Sequence, residues 1–394
     1  MFNEELHLEQ PLRWGMVGGG RGSQIGYIHR NSALRSRMFD LVAAAFDIDP
    51  ERGRAFGENW GIAGERCYPD YKTMFAEEAK RPDGIQAVTI ATPNNMHYEI
   101  CKAALNAGLH VVCEKPLCFT AAEAEELVAL SKEKNRVVGV TYGYTGAPMI
   151  HQAREMIARG DLGEIRIINM QFAHGYHCQE VEKNDAGTKW RVTPAAAGPT
   201  YVLGDIGTHA LYLAEVMIPD LEIANLMCAR QSFVKSRAPL EDNAFVLMNF
   251  TNGAVGNLWA SCVNAGSTHQ QKIRVIGSKA SIEWWDEHPS QLIFAEQGKP
   301  VQILDRGQGY LYNDDELVNN NRMGGGHAEG LFESWATLYT RFGVAMDRVN
   351  KGENVADVMD QYWFPNVIDG AKGVRFIENC VRSADGGSAW VDYE

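Results

Sequence analysis

The chain has 394 residues, of which 45% are hydrophobic and 22% charged, and its formal net charge is −13. That length exceeds one small core and points to two domains with the profile of an ordinary soluble globular protein. The negative field repels nucleic acid and anionic membranes, so neither is expected as a partner, and a small neutral substrate is expected instead of a polyanion.

Eight cysteines are scattered without a Cys-x-x-Cys pair, which suggests reduced thiols in a reducing compartment. The start, Met1-Phe2-Asn3-Glu4-Glu5-Leu6-His7, has no basic region leading into an apolar stretch. No apolar span of about 20 residues follows, so a cytoplasmic protein is expected.

Leu12–Val17 reads as a first strand, feeding a glycine-rich loop (Gly18-Gly19-Gly20-Arg21-Gly22-Ser23) and a helix near Gln24–Arg35. Phe39–Phe46 is a second strand ending at Asp47, and Asp49-Pro50 has the form of a helix start. Ile85–Ala91 is a buried strand leading to Thr92-Pro93-Asn94, and a helix His97–Ala107 leads to the strand Leu109–Cys113. Thr120-Ala121-Ala122-Glu123 is a capping box, and Arg136–Tyr142 another strand. Strands alternating with helices imply βαβ units on a parallel sheet.

After about residue 144 the pattern changes. One more helix runs from Pro148 to about Arg159, followed by Ile165–His174, Ile223–Phe233, Phe245–Phe250, Val255–Cys262, Lys272–Ile276, Ser281–Trp285 and Leu292–Ala295 as strands. Thr251-Asn252-Gly253 marks a hairpin. The expected fold is an α/β N-terminal Rossmann domain, residues 1–144, and an α+β C-terminal domain, residues 145–394, with a large, mostly antiparallel open sheet. Helices near Asp205–Met217, Glu329–Asn350 and Phe364–Arg382 are expected to cover one face of that sheet, and Gly298–Gly326 to form a long loop.

The loop after the first strand reads as a dinucleotide site. Gly18 allows the tight turn, Gly20 lets the backbone approach a pyrophosphate, and Ser23 offers a hydroxyl to phosphate. Arg21, Gly22 and Ile25 complete the lining. Asp47 stands where an acid accepts the ribose hydroxyls of NAD and repels a 2′-phosphate, so NAD is favoured over NADP. Arg21 and Arg52 leave room for NADP. Thr92, Pro93 and Asn94 are placed to line the nicotinamide side, with His97 supporting their loop. Glu114-Lys115-Pro116 ends a buried strand. An amine there is costly unless paired, and Glu114 is adjacent; a structural ion pair and a role in polarising a reacting oxygen are both compatible, and we favour the second.

Four segments in this order resemble the Gfo/Idh/MocA oxidoreductases over the whole chain: the glycine loop, Ala91-Thr92-Pro93-Asn94-Asn95-Met96-His97, Glu114-Lys115-Pro116, and Gly204-Asp205-Ile206-Gly207-Thr208-His209. Trp190-Arg191 and Gly326-His327-Ala328-Glu329-Gly330 resemble those of members with a longer loop. The resemblance implies a cis bond before Pro116, with Lys115, Asp205 and His209 as catalytic residues. It also implies inositols or pyranosides oxidised at a ring carbon, C3 among them, and a homodimer or homotetramer formed through the open sheet face.

Asp205 and His209 lie four apart, on one face if the segment is α-helical. The carboxylate would then orient an imidazole that takes a hydroxyl proton, and Gly207 would leave room for a cofactor ring. Tyr142, Tyr144, His174, Trp190, Arg191 and His327 are candidates to line a substrate cleft together with Lys115, Asp205 and His209. Aromatic faces with polar tips suit a sugar ring. No compact metal-ligand spacing is present. The expected activity is an NAD-dependent dehydrogenase of a cyclic polyol or sugar. A glycoside hydrolase or lyase using NAD transiently, and a non-catalytic NAD-binding regulator, are the competing readings.

Overall fold

A computed structural model describes residues 8–312 and 321–394. Contacts divide the chain into two units. One runs up to Gly143 and includes Trp335–Val374; the other holds Tyr144–Ser334 with Arg375–Glu394.

The N-terminal unit is built on five strands: β1 (Leu12–Gly18), β2 (Phe39–Ala45), β3 (Ala87–Ala91), β4 (His110–Cys113) and β5 (Val138–Val140). They form a parallel sheet in the order β2-β1-β3-β4-β5. β3, β4 and β5 are buried throughout, as strands covered on both faces are.

The helices are α1 (Gln24–Ser36), α2 (Pro50–Asn59), α3 (Tyr71–Glu78), α4 (His97–Asn106) and α5 (Ala121–Lys134). Their starts follow local chemistry. Ser23 accepts from Gly26 N at α1, Asp49 from Glu51 N and Arg52 N at α2, and Thr120 with Glu123 forms the capping box of α5. α3 carries no strong sequence signal, and the sequence reading did not assign it.

The domain boundary needs a correction. The helix expected near Glu329–Asn350 over the second sheet forms as Leu331–Asn350, and from Trp335 it belongs to the N-terminal unit. Leu338, Tyr339, Phe342, Ala345 and Met346 complete the core around Trp14 and Phe39. The Tyr339 ring meets Trp14 and Phe39 edge-on, with centroids 5.8 and 5.4 Å apart. Gly139 permits this approach, because a Cβ there would lie 2.5 Å from the Phe342 ring. The last long helix, Val367–Asp385, divides between the units after Val374.

The C-terminal unit holds α6 (Pro148–Ala158) and nine strands. These are β6 (Ile165–Ala173), β7 (Ile223–Gln231), β8 (Asn243–Phe250), β9 (Val255–Ser261), β10 (Gln271–Gly277), β11 (Ala280–Trp285), β12 (Gln291–Glu296), β13 (Gln302–Asp305) and β14 (Val391–Asp392). The order is β13-β12-β11-β10-β6-β9-β8-β7-β14, antiparallel apart from the β6–β9 pair. β8 and β9 form the expected hairpin, with Gly253 at φ +87°. α6 and the helix Thr208–Met217 cover one face, packing on β6 and β10 through β12. The expected long loop at Gly298–Gly326 contains β13, whose Ile303 and Leu304 pair with β12; residues 313–320 of that segment lie outside the described residues.

Candidate functional site

The cofactor-side residues all fall at the carboxyl edge of the parallel sheet, where α/β folds bind nucleotides. Gly18 takes φ +72°, and a Cβ there would sit 2.6 Å from Ala91 O, so only glycine joins β1 to the loop beside β3. Gly26 lets α1 close onto the loop, since a Cβ there would lie 2.0 Å from Gly19 O. Gly20 differs from expectation. A side chain there would strike Phe46 O at 2.7 Å, so its first constraint is the end of β2. Ser23 Oγ accepts from Gly26 N at 3.1 Å as the α1 cap, which leaves its hydroxyl hydrogen to donate. Arg21 and Gly22 are exposed beside it, and Ile25 opens the first turn of α1.

Asp47 lies past β2, half-buried. Arg52 binds it in a fork, Nε to Oδ2 at 2.7 Å and Nη2 to Oδ1 at 2.5 Å. This bond, above all, holds the Asp47 carboxyl below its usual range. Arg52, the cation that left room for a 2′-phosphate, is thus engaged by the acid that disfavours one. Asp49 caps α2 as anticipated.

Thr92, Pro93 and Asn94 follow β3. The buried Thr92 Oγ1 has no hydrogen-bond partner among the described residues, although buried polar atoms are rarely left unsatisfied. That atom, the first-turn N–H groups of α1 and the Asp47 carboxylate fit a dinucleotide. His97, fully buried, joins two turns: Nδ1 stands 2.8 Å from Pro116 O and Nε2 3.0 Å from Thr92 O. Burial lowers its pKa, against the two carbonyls that favour the charged ring.

Glu114 and Lys115 lie just beyond β4, and the Lys115–Pro116 bond is cis. Adjacency suggested a Glu114–Lys115 pair. The structure gives Glu114 two further partners that the sequence did not reveal, His29 Nε2 at 3.1 Å and the Thr141 hydroxyl. Behind His29 runs a buried chain. Its Nδ1 is 2.9 Å from Tyr339 OH, which is 2.9 Å from Thr89 Oγ1, which accepts from Trp14 Nε1 at 2.9 Å. Burial pushes the Glu114 carboxyl up, but His29, Lys115 and Thr141 outweigh it and hold the pKa at about 2. Glu114 is therefore a fixed anion beside Lys115. Tyr142, by contrast, is 1% exposed and counts among the core side chains of this unit, so its placement does not favour the substrate contact expected of it.

The C-terminal unit gathers most of the other candidates around the end of β6. His209 is buried, with its ring 5.0 Å from Tyr144 (edge-on) and 6.3 Å from Phe172. The expected α-helical spacing of Asp205 and His209 needs correcting: Leu203–Gly207 is a π-helical turn, in which Thr208 N bonds Leu203 O, and the α-helix starts at Thr208. Such turns recur at functional sites. The room expected at Gly207 is not demanded within this unit, since a Cβ there would meet ordinary contacts at 3.6 Å.

Arg191 Nε lies 3.4 Å from Asp205 Oδ2, and its guanidinium covers the Trp190 ring at 4.6 Å. The structure thus brings the Trp190-Arg191 pair to the candidate carboxylate. His174 is buried, and burial, then His177, lowers its pKa to about 4. His327 is exposed; among the described residues its ring nitrogens bond only Gly324 O, at 3.3 Å. The anchoring residue of that motif is Glu329, which accepts from Arg322 N and Met323 N and pairs with Arg306 at 3.1 Å.

Three groups escaped the sequence reading. His269 lies 3.1 Å from Tyr144 OH and contacts Asp286. Glu241, fully buried, accepts from Tyr201 N and Leu203 N, both at 3.0 Å, at the entrance of the π-helical turn. Arg237, also buried, donates to His177 O and Gln179 O, each at 2.7 Å, and so holds the chain after His174. Each acts across a sequence separation that no local pattern reports. Among the described residues no group of three or more His, Cys, Asp or Glu is arranged to hold a metal.

Residues 12–142 match the profile of an oxidoreductase family, NAD-binding Rossmann fold, and residues 154–393 that of an oxidoreductase family, C-terminal alpha/beta domain. An inositol dehydrogenase homologue of Azotobacter vinelandii complexed with NAD+ is 60% identical and superposes with a TM-score of 0.97, covering 100% of each chain. An inositol dehydrogenase homologue of the same organism, complexed with NADH and myo-inositol, is 61% identical with a TM-score of 0.93 over 98% of each chain. The chain is also 54% identical over 396 residues, all of both chains, to the uncharacterised oxidoreductase YfiI of Bacillus subtilis.

Proposed function

The chain belongs to the Gfo/Idh/MocA oxidoreductase family, and on that premise we propose that it is an NAD-dependent dehydrogenase of a ring secondary alcohol. Inositols are the first substrate class and pyranosides, at C3 among other ring carbons, the second. The observation that carries this reading is the similarity along nearly the whole chain to a protein complexed with NADH and myo-inositol.

Bound NAD supplies the hydride acceptor, so that the carbinol carbon becomes a ketone when its hydroxyl proton is removed. His209 takes that proton as general base, and Asp205 stabilises the imidazolium that results. Lys115 donates to the reacting oxygen and favours the charge that builds there. Glu114, held ionised by its buried partners, sets a fixed negative charge beside Lys115. Arg191, paired with Asp205, fixes the carboxylate. Asp47 receives the adenosine ribose, and the α1 N-terminus receives the pyrophosphate.

The second unit's uncovered sheet face supports association into a homodimer or homotetramer. Among the described residues no helix is long and apolar enough to cross a membrane and no disulfide joins the eight cysteines; both support placement in the cytoplasm.

Steady-state turnover with NAD and NADP against inositols, aldoses and glycosides tests the reading. The expected result is turnover of one polyol class with NAD, reduced about a hundredfold to ten-thousandfold in His209→Ala and Lys115→Ala, while His209→Ala still binds NAD as wild type does. Full activity of either variant would refute the assigned roles.

A further inference from the structure

Beside the residues given to the reaction stands a second hydrogen-bonded series, Tyr144–His269–Asp286, to which no role has yet been given. His269 precedes β10 and Asp286 follows β11, at the open end of that antiparallel pair. The backbone there is clamped twice. Glu287 accepts from His269 N at 3.1 Å and Gln270 N at 3.0 Å, and Asp286 Oδ1 accepts from Gln271 N at 3.1 Å. The other oxygen, Oδ2, contacts His269 Nδ1. His269 Nε2 lies 3.1 Å from Tyr144 OH, and the imidazole packs on Phe172 with centroids 4.5 Å apart.

These contacts fix which atom gives each hydrogen. Asp286 Oδ2 at Nδ1 selects the tautomer in which Nδ1 donates, which leaves the Nε2 lone pair facing the Tyr144 hydroxyl. Tyr144 must then donate its single hydroxyl hydrogen to His269, and towards any other group its oxygen offers acceptance alone. His174, also at the end of β6, has the opposite polarity. Tyr176 N donates to its Nδ1 at 3.3 Å, so its Nε2 carries the hydrogen and donates. The rings of Tyr144 and His209 stand at 83° with centroids 5.0 Å apart, so the tyrosine ring packs beside the proposed base.

We propose that His269 and Asp286 are specificity-determining residues: they make Tyr144 an obligate acceptor for a ring hydroxyl of the substrate neighbouring the one that reacts. The inference rests on the polyol reading above. A vicinal diol is then read by its hydrogen at Tyr144 and by an oxygen lone pair at His174, and a ring lacking the first hydroxyl forgoes the hydrogen bond to Tyr144.

The test is a mutant cycle of Asp286→Asn and Tyr144→Phe, read as KM and kcat for myo-inositol and monodeoxy-inositols. In Asp286→Asn the amide oxygen keeps Gln271 N, and the NH2 group faces His269. The ring changes tautomer, Nε2 donates to Tyr144, and the hydroxyl turns from acceptor to donor. The expected result is KM for myo-inositol raised about tenfold or more with a smaller change in kcat. That loss disappears in the Tyr144→Phe background and for the deoxy analogue that lacks the paired hydroxyl. An unchanged KM, or losses that add in the double variant, would overturn the relay. Calorimetric binding of myo-inositol to the NADH-loaded protein reads the same cycle without turnover. Wild-type binding without reaction would refute the dehydrogenase reading while the relay is still judged by its Kd, and no binding of any polyol would overturn both.

Discussion

At the scale of single residues, the acid that was expected to read the ribose is already an ion pair. Arg52 occupies both oxygens of Asp47, and the pair is partly exposed, so it contributes little to stability. Its consequence lies in selection between cofactors. Asp47→Ala removes the ribose acceptor and releases a guanidinium that suits a 2′-phosphate. The expected outcome, measured by fluorescence titration, is NAD affinity weakened about tenfold and NADP affinity strengthened. Unchanged affinities for both would show that Asp47 does not touch the ribose. Glu114 shows the opposite economy of contact: it is buried, and its neighbours keep it charged. The adjacency of Glu114 to Lys115 was visible in the sequence. The line from Trp14 through Thr89, Tyr339 and His29 was not, because it joins residues as far as 310 positions apart.

At the scale of elements, periodicity and caps revealed the alternating half well, since Ser23, Asp49 and Thr120 each act on their own next turn. They misled at Asp205–His209, because a π-helical turn and an α-helix have the same polar spacing to within one residue and differ only in backbone register. The register there is set by a residue from outside the element. Glu241 takes the N–H groups of Tyr201 and Leu203, satisfying donors that a helix start leaves open. Burial raises its pKa from 4.5 to about 7 against the opposing backbone bonds and Arg230. A carboxyl with a raised folded-state pKa contributes most to stability below pH 4.5, and the contribution is lost as pH rises through about 7. The size is roughly 3 kcal/mol at most. Glu241→Gln keeps an acceptor and abolishes the charge, so its melting temperature relative to wild type is expected to rise between pH 5 and pH 8 by several degrees. A constant difference across that range would show that Glu241 does not titrate in it. β13 and the N-terminal allegiance of Leu331–Asn350 were hidden for a related reason: an amphipathic helix declares its apolar face but not which sheet receives it.

At the scale of the whole molecule, one face of the nine-stranded sheet carries Ile167, Phe245, Leu247, Val255 and Ile293, all exposed. Phe245 stacks on Trp259 with ring centroids 5.8 Å apart. Several large exposed apolar side chains on one sheet face favour burial against a partner. Sedimentation of the purified protein is expected to give a dimer or tetramer, and paired charges introduced as Phe245→Glu with Leu247→Glu are expected to dissociate it. A wild-type monomer would contradict that expectation while leaving the catalytic roles untouched.

The central claim is that the protein carries an oxidation to completion. Its most direct test is the stoichiometry of reduced nicotinamide formed to myo-inositol consumed, with NAD in excess and the product followed as a ketone. The account predicts one NADH and one ketone for each inositol lost. Substrate conversion with no net NADH would contradict it and would assign the same residues to a transient oxidation within a hydrolase or lyase.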